Sequence, residues 1–502
     1  MIRVEDIFSY SAKNPLLFNQ YLFLFLFTAM FAGFTILHKQ VRARNFYLLL
    51  FSLFFYYKCS GWYFLLLLFS TILDYGCGFG IYIVKEKWQK KLFLVLSISS
   101  NLGLLFFFKY SYFMVDSING LIGTDFKEYN FLAAFANGMV GANFDIHQIL
   151  LPVGISFYTF QTLSYSIDIY RGRIKPCANI FDFAFFVSFF PQLVAGPIVR
   201  ASEFLPQIRK PYYLSSSGFG KAIFLIMSGL FKKVVISDYI SVNFVDRVFD
   251  TPEIYSGFLN LMAVYGYSIQ IYCDFSGYSD MAIGLAALLG FTLPINFNSP
   301  YKANSITDFW RRWHISLSTW LRDYLYISMG GNRKGKLRTY LNLAITMLIG
   351  GLWHGAALKF IVWGALHGLA LTLHKLWSEN IKLPASRWGN YVSILITFHF
   401  VAFCWMYFRA ADMYTVKLML NNISTHFDFA GIGTRVLAYW KVFALILTGF
   451  AVHFLPSNLK NRAEWWYSEA SYTVKIVLFV MVIVVIYQAT SSDLQPFIYF
   501  QF

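Results

Sequence analysis

Apolar runs of about 20 residues recur along the whole chain, each long enough to cross a hydrocarbon core about 30 Å thick. Lipid offers no partner to a backbone N–H or C=O, so only helices and closed barrels can span it. Barrel strands would read as alternating segments of about 10 residues, and no such segments are present. The runs therefore predict an all-α, polytopic integral membrane protein with about 11 transmembrane helices plus short re-entrant or interfacial helices. Composition agrees: of 502 residues, 58% are hydrophobic and 13% charged, against roughly 25% charged in a soluble domain.

The formal charge of +16 has two readings. On a soluble protein it would suggest nucleic acid, yet the chain carries no nucleic-acid-binding motif. Lys and Arg gathering in loops that stay in the cytoplasm explains the charge without a ligand. Cys59, Cys77, Cys177, Cys273 and Cys404 are scattered, with no C-x-x-C pair, which argues against a disulfide framework or a thiolate metal site. The first apolar run, Leu16–Leu37, is long for a signal peptide and lacks a strongly basic start, so it reads as a span.

Loop charge predicts the topology of the first third. The basic segments 38–44, 85–91 and 171–175 belong on one face, the cytoplasmic one. The hairpin formed by the runs 45–57 and 62–84, meeting at Lys58–Gly61, lies between the first two. Segment 116–150 carries Asp116, Asp125, Glu128 and Asp145 against Lys127 and belongs outside. Beyond residue 180 the runs shorten and carry Gly, Ser or Asn. Broken helices at membrane depth must be buried in protein or line a cavity. The predicted layout is thus 1–150 as N-terminal spans, 151–376 as a polar-lined core and 377–502 as C-terminal spans. Ser156, Thr159, Gln161, Asp168, Gln192 and the run Asp274–Asp280 are polar within apolar surroundings. They serve either as helix–helix hydrogen-bonding glue or as cavity lining.

One island departs from this background. Lys302 to Arg338 holds eight Lys/Arg and two Asp, and two histidines bracket it, in Asp308-Phe-Trp-Arg-Arg-Trp-His314 and Gly350-Gly-Leu-Trp-His354-Gly-Ala. Ionisable groups inside a membrane-like sequence mark a functional site by default. Ser305-Ile-Thr-Asp308 reads as a capping box opening a helix. Phe309, Trp313, Leu317, Trp320 and Tyr324 then recur at helical spacing, which predicts an interfacial helix over 305–330 with aromatic side chains at headgroup level. His354 ends a short apolar helix among Gly350, Gly351 and Gly355, where the absence of side chains lets a substrate or another backbone approach. An imidazole there suits general-base chemistry on a hydroxyl; a structural histidine is the competing reading for His314. His367 and His374 lie seven apart with no carboxylate ligand cluster and no H-E-x-x-H, so no metal is expected. P-loop, G-x-G-x-x-G and G-x-S-x-G patterns are absent.

Taken in order, six stretches resemble the membrane-bound O-acyltransferases, and within them the bacterial alginate O-acetyltransferase membrane components. They are Gly154–Gly172, Phe190–Ile198, Cys273–Gly284, Asn296–Tyr301, Asp308–Gly331 and Leu348–Ala356. The resemblance covers roughly residues 40–410. It implies a multi-helix fold around a central tunnel, with His354 as the catalytic histidine and His314 as a second active-site histidine. It further implies acetyl-CoA as the acyl donor from the cytoplasm and O-acetylation of an extracytoplasmic polysaccharide, as in alginate biosynthesis. The partner would be a separate extracytoplasmic, SGNH-like acetyltransferase, and the location the bacterial inner membrane. D-alanyl transfer to teichoic acid is the alternative within the fold. A transporter or non-catalytic scaffold is the alternative outside it, but a transporter would predict an internal repeat, which is not found.

On this reading His354 accepts the proton of the acceptor hydroxyl. Trp310, Arg311, Asp308, Asn298, Trp353, Ser276, Tyr278 and Gln161 are candidate substrate or tunnel positions within the matching stretches. Arg312, Arg333 and Lys334, with Arg311, suit CoA phosphates by charge.

Overall fold

A computed structural model describes residues 7–11, 15–140, 144–381 and 386–489. Among these the chain is helical, with no strand. The N-terminal part comprises α1 (Tyr21–Leu37), α2 (Val41–Ser60), α3 (Phe64–Ile83), α4 (Lys87–Ile122), α5 (Phe131–Val140), α6 (Ile155–Tyr170) and α7 (Ile180–Ser188). The central part holds α8 (Ser216–Leu230), α9 (Gly257–Leu288), α10 (Ile306–Arg312), α11 (Ile315–Trp320), α12 (Lys336–His354), α13 (Leu358–Asn380) and α14 (Arg387–Arg409). Met413–Thr425, Trp440–Phe454, Ser457–Glu469 and Tyr472–Ala489 are the principal helices that follow.

Three helical segments are long and apolar enough to cross a membrane, Val41–Ile83, Lys87–Ile122 and Arg387–Arg409; two C-terminal pairs, bent by 87° and 119°, would make five. The remaining helices are too short or too polar for that test. The reason is visible in α6, where 14 of 16 residues are buried: such helices pack against protein, so their sequences need not be uniformly apolar.

The first segment reverses within itself. Gly61 takes φ 59°, a left-handed value that glycine adopts without strain. Phe46 near the start of α2 and Tyr75 in α3 both meet the beginning of α7, at Phe181 (5.8 Å) and Phe183 (6.0 Å). The expected hairpin is therefore present. Tyr75 Oη of α3 donates to the Ala178 carbonyl (3.3 Å), which ties α3 to the segment that leads into α7. α4 continues past the expected end of its span to Ile122, where Gly123 caps it in the left-handed conformation.

Polar groups knit the buried helices. Asp74 of α3 accepts from Ser97 Oγ (2.5 Å) and Asn101 Nδ2 (2.8 Å) of α4, and Ser97 Oγ lies 2.9 Å from Ser166 Oγ of α6, from which it can accept. Lys233 Nζ bridges Asp238 (2.7 Å) and Asp274 (2.6 Å). α9 runs unbroken for 32 residues through the polar stretch Asp274–Asp280. Asp274 in its middle is satisfied by Lys233, and Gly277 admits the Gly229 carbonyl oxygen of α8, which a Cβ would meet at 2.7 Å.

The apolar run 180–195 is too short to cross as one helix. α7 has 9 residues, about 13 Å at 1.5 Å each, and the chain breaks at Phe189 before a single turn, Phe190–Leu193. It enters the body without spanning it. The expected interfacial helix 305–330 is not continuous. α10 stops at Arg312, His314 sits at φ 42°, α11 covers six residues and a π-helical turn follows at Leu321–Tyr326. Phe309, Trp313, Leu317, Trp320 and Tyr324 are all buried. Protein aromatics cover them: Phe160 stacks on Trp320 at 3.9 Å and Trp405 lies 4.9 Å from Trp313. The stripe faces the core, not headgroups.

Candidate active site

α12 and α13 form a tight antiparallel hairpin whose far end carries His354. A Cβ on Gly351 would overlap the Phe360 carbonyl oxygen, and one on Gly364 would come within 2.5 Å of the Met347 carbonyl oxygen. These glycines let the two backbones touch, as small residues do between membrane helices. Gly355 admits the Phe360 ring. Gly350 has only Leu321 Cδ1 nearby, at 3.5 Å, and lines a cavity. The three glycines around His354 thus serve one backbone contact, one ring contact and one open face. The imidazole is held by aromatic rings at Trp353 (5.0 Å), Trp363 (5.1 Å) and Phe408 (5.1 Å).

His314 is fully buried. Its Nδ1 lies 3.2 Å from Asn296 Oδ1, which also accepts from Ser316 N (3.2 Å) and Ser316 Oγ (2.9 Å). A backbone N–H needs an acceptor, so the Ser316 contact assigns the oxygen of the Asn296 amide to this side. The His314 proton then resides on Nδ1, leaving Nε2 as the basic nitrogen. Asn296 is itself anchored by Nδ2 donating to Ser279 Oγ (3.2 Å), and its carbonyl accepts from Ile315 N (2.9 Å). The Trp353 indole stands 6.1 Å from the His314 ring and 5.0 Å from that of His354. His354 lies within electrostatic range of His314, Lys109 and His367.

A cavity of about 750 Å³ opens onto His354. Its wall includes Trp310, Trp363, Gly350 and Met347, and its mouth Arg311, Arg312, Arg322, Lys375 and Asp308. Three of its four cations are ion-paired, which leaves Arg311 as the one in excess and makes that mouth anion-attracting. Arg312 is paired with Asp308 at 2.9 Å, Arg322 with Asp323 at 2.6 Å, and Lys375 with Glu379 at 3.2 Å, while Arg311 is exposed at the rim. Trp310 Nε1 donates to His367 Nδ1 (3.3 Å), and Thr307 Oγ1 lies 2.9 Å from His374 Nδ1. His367 and His374 thus hold neighbours of the cavity. Among the described residues, no group of three or more His, Cys, Asp or Glu side chains converges on a point.

A second, smaller cavity of about 70 Å³ is lined by Lys109, Leu151 to Phe157, Val194 and Trp353. It lies at the beginning of α6. The other end of α6 reaches the first cavity's side, where Arg171 Nη1 donates to the Asp323 carbonyl (3.1 Å). His354 walls the large cavity and Trp353 the small one, so this dipeptide stands between the two cavities.

The structure brings His354, Trp310, Arg311, Arg312 and Asp308 together at the large cavity, with Trp353 behind it. The remaining candidates lie elsewhere. Asn298 is exposed and contributes main-chain bonds only, to Arg312. Arg333 and Lys334 sit on an exposed loop outside the cavity wall. Tyr278 is buried against Phe18, stacked at 4.7 Å, and Ser276 is buried on the same helix. Gln161 is fully buried in α6, lining neither cavity. Asn296, Trp363, Phe408, Lys109 and Tyr110 were not singled out from sequence. Asn296 alone had a signal, standing two residues before Asn298 within a matching stretch.

Long apolar helices around a buried, polar-linked core, with a histidine at a glycine-built bend beside a cavity, are the features of a membrane protein with an internal site. The pattern of the MBOAT, membrane-bound O-acyltransferase family matches residues 174–416. A peptidoglycan O-acetyltransferase of Helicobacter pylori is 39% identical over 438 residues, 81% of this chain and 80% of that protein. The protein named Probable alginate O-acetylase AlgI of Pseudomonas aeruginosa is 41% identical over 464 residues, 89% of this chain and 84% of that one. A teichoic acid D-alanyltransferase of Bacillus subtilis is 30% identical over 272 residues, 51% of this chain and 68% of its own. The chain belongs to the membrane-bound O-acyltransferase family, and it is an acyltransferase of the lipid bilayer.

Proposed function

We propose that this protein takes an acetyl group from cytoplasmic acetyl-CoA and delivers it across the bacterial inner membrane for O-acetylation of an extracytoplasmic polysaccharide. The observation that carries the reading is the position of the Trp353–His354 dipeptide between two cavities, His354 in the wall of the large one and Trp353 in that of the small one. The large cavity suits the donor. Its cationic mouth matches the phosphates of CoA, and Arg311 at the rim offers a planar fork for them. A volume of about 750 Å³ is in the range of small-molecule sites. The small cavity suits an acceptor hydroxyl of the extracytoplasmic partner or of a carrier molecule reaching inward, and the alginate and peptidoglycan acetylating relatives support a polysaccharide as the final recipient.

His354 accepts the hydroxyl proton as the oxygen attacks the thioester carbonyl. A C–O bond forms, the C–S bond breaks, and the thiolate of CoA leaves and is protonated. His314, its tautomer fixed by Asn296, serves as the second active-site histidine beside the Trp353–His354 wall. Charge matching places the basic face, with 85–91 and 171–175, in the cytoplasm. The final acetylation of the polymer belongs to a separate extracytoplasmic, SGNH-like acetyltransferase. The test is acetyl-CoA turnover by protein reconstituted in sealed vesicles. Turnover is expected only when acetyl-CoA is supplied to the face bearing Arg311, and His354→Ala abolishes it with folding intact. Full turnover by His354→Ala would overturn the reading.

A further inference from the structure

The last four carbonyls of a helix have no partner within it, and α12 ends at His354 itself. Gly355 N closes on the Gly351 carbonyl at 3.4 Å. The next three carbonyls are taken by two consecutive residues of α4. Tyr110 Oη donates to Leu352 O (2.6 Å), and Lys109 Nζ donates to Trp353 O (2.6 Å) and His354 O (2.9 Å). Both side chains reach a point 242–245 positions away in the chain. A cation at a helix C-terminus is favoured by the helix dipole, and a charge-assisted bond is stronger than a neutral one. Lys109 also lies over the Trp353 ring at 5.9 Å and forms part of the small cavity.

We propose that Lys109, with Tyr110, is the positioning residue of this acyl transfer. It clamps the carbonyls of Trp353 and His354 and so fixes the imidazole against an acceptor hydroxyl arriving through the small cavity. The inference rests on His354 acting as the base. An ammonium has three N–H donors, and two are engaged by carbonyls. The third is available to an oxygen of the acceptor, which makes Lys109 a contact for a hydroxyl-bearing or carboxylated sugar as well as a clamp. The donor cavity's lining does not include Lys109, so its loss is read in turnover and not in CoA affinity.

The experiment measures three quantities on the full-length protein in lipid nanodiscs: CoA binding at equilibrium, kcat and KM for acetyl-CoA cleavage, and the unfolding transition. Lys109→Met is expected to lower kcat on the order of a hundredfold, the effect of misplacing a catalytic group by about 1 Å, with CoA affinity unchanged. Lys109→Arg, which keeps a cationic donor, restores most of kcat. Tyr110→Phe removes one bond to Leu352 and lowers kcat less, and it carries the test if Lys109→Met does not fold. Unchanged kcat in folded Lys109→Met and Tyr110→Phe overturns the proposal. So does a parallel fall in kcat, CoA affinity and stability that Arg does not rescue, because that is the mark of a structural role alone. Retention of turnover by His354→Ala would instead strike the reading of His354 while leaving the clamp geometry standing.

Discussion

Asn296→Ala tests how the His314 imidazole is held. The Asn296 amide oxygen serves three donors at once, His314 Nδ1, Ser316 N and Ser316 Oγ, at 3.2, 3.2 and 2.9 Å. The site is about 1% exposed, so water cannot replace the lost acceptor without a cavity forming for it. The Ser316 hydroxyl can turn, but the other two donors are fixed. A buried donor left without a partner costs about 1–3 kcal/mol, which gives roughly 2–6 kcal/mol of destabilisation for two. Turnover falls as well, since the imidazole loses the contact that sets its tautomer. The control is Asn298→Ala. Asn298 is exposed and its bonds to Arg312 use its main chain, so the substitution stays within about 0.5 kcal/mol. Denaturant unfolding in detergent, followed by tryptophan fluorescence, measures both variants beside acetyl-CoA turnover. If Asn296→Ala and Asn298→Ala unfold together and turn over alike, the assignment of Asn296 as the holder of His314 is refuted.

Gly351→Ala drives a Cβ into the Phe360 carbonyl oxygen and destabilises the α12–α13 hairpin by about 1–3 kcal/mol; Gly433→Ala, with nothing within 4 Å, serves as the comparison in the same unfolding assay. Arg311→Ala raises KM for acetyl-CoA in a manner that fades with added salt, whereas Arg333→Ala, outside the cavity wall, leaves KM unchanged in steady-state kinetics. A cysteine placed at Lys87 resists a membrane-impermeant thiol reagent applied to intact cells, while one at Asp125 reacts; labelling at Lys87 would reverse the assigned topology.

Much of the architecture was legible because the physics of lipid is blunt. Apolar runs gave the helices of the first third, and Tyr75 and Phe46 both reaching the start of α7 match the hairpin read from them. Legibility fell where helices bury in protein. There the lipid constraint lapses, and a charge such as Asp274 no longer ends a helix once Lys233 pairs with it. His354 was visible because its glycines and tryptophan form a local pattern. Lys109 and Tyr110 were not, since their role depends on contacts more than 240 positions distant, and α4 reads simply as a long span.

The break at His314 has a different cause. Periodicity reports which residues share a face, not whether the helix between them is continuous. Phe309, Trp313, Leu317, Trp320 and Tyr324 all face the core, so their spacing was informative while the inference of one rod was not. A non-glycine residue at φ 42° costs about 1–2 kcal/mol. The surroundings offset this: Asn296 accepts from Ile315 N, His314 Nδ1 and Ser316 N together, and these bonds form only when the chain turns at His314. A straight helix would place His314 one position from Trp313 on a common cylinder and would have no use for the Asn296 amide. The kink starts a new helix directly after the imidazole and seats its ring 4.6 Å from Phe275 and 6.1 Å from Trp353. Strain held at one residue by three bonds from a distant loop is a positioning device, and it connects His314 to the wall that carries His354.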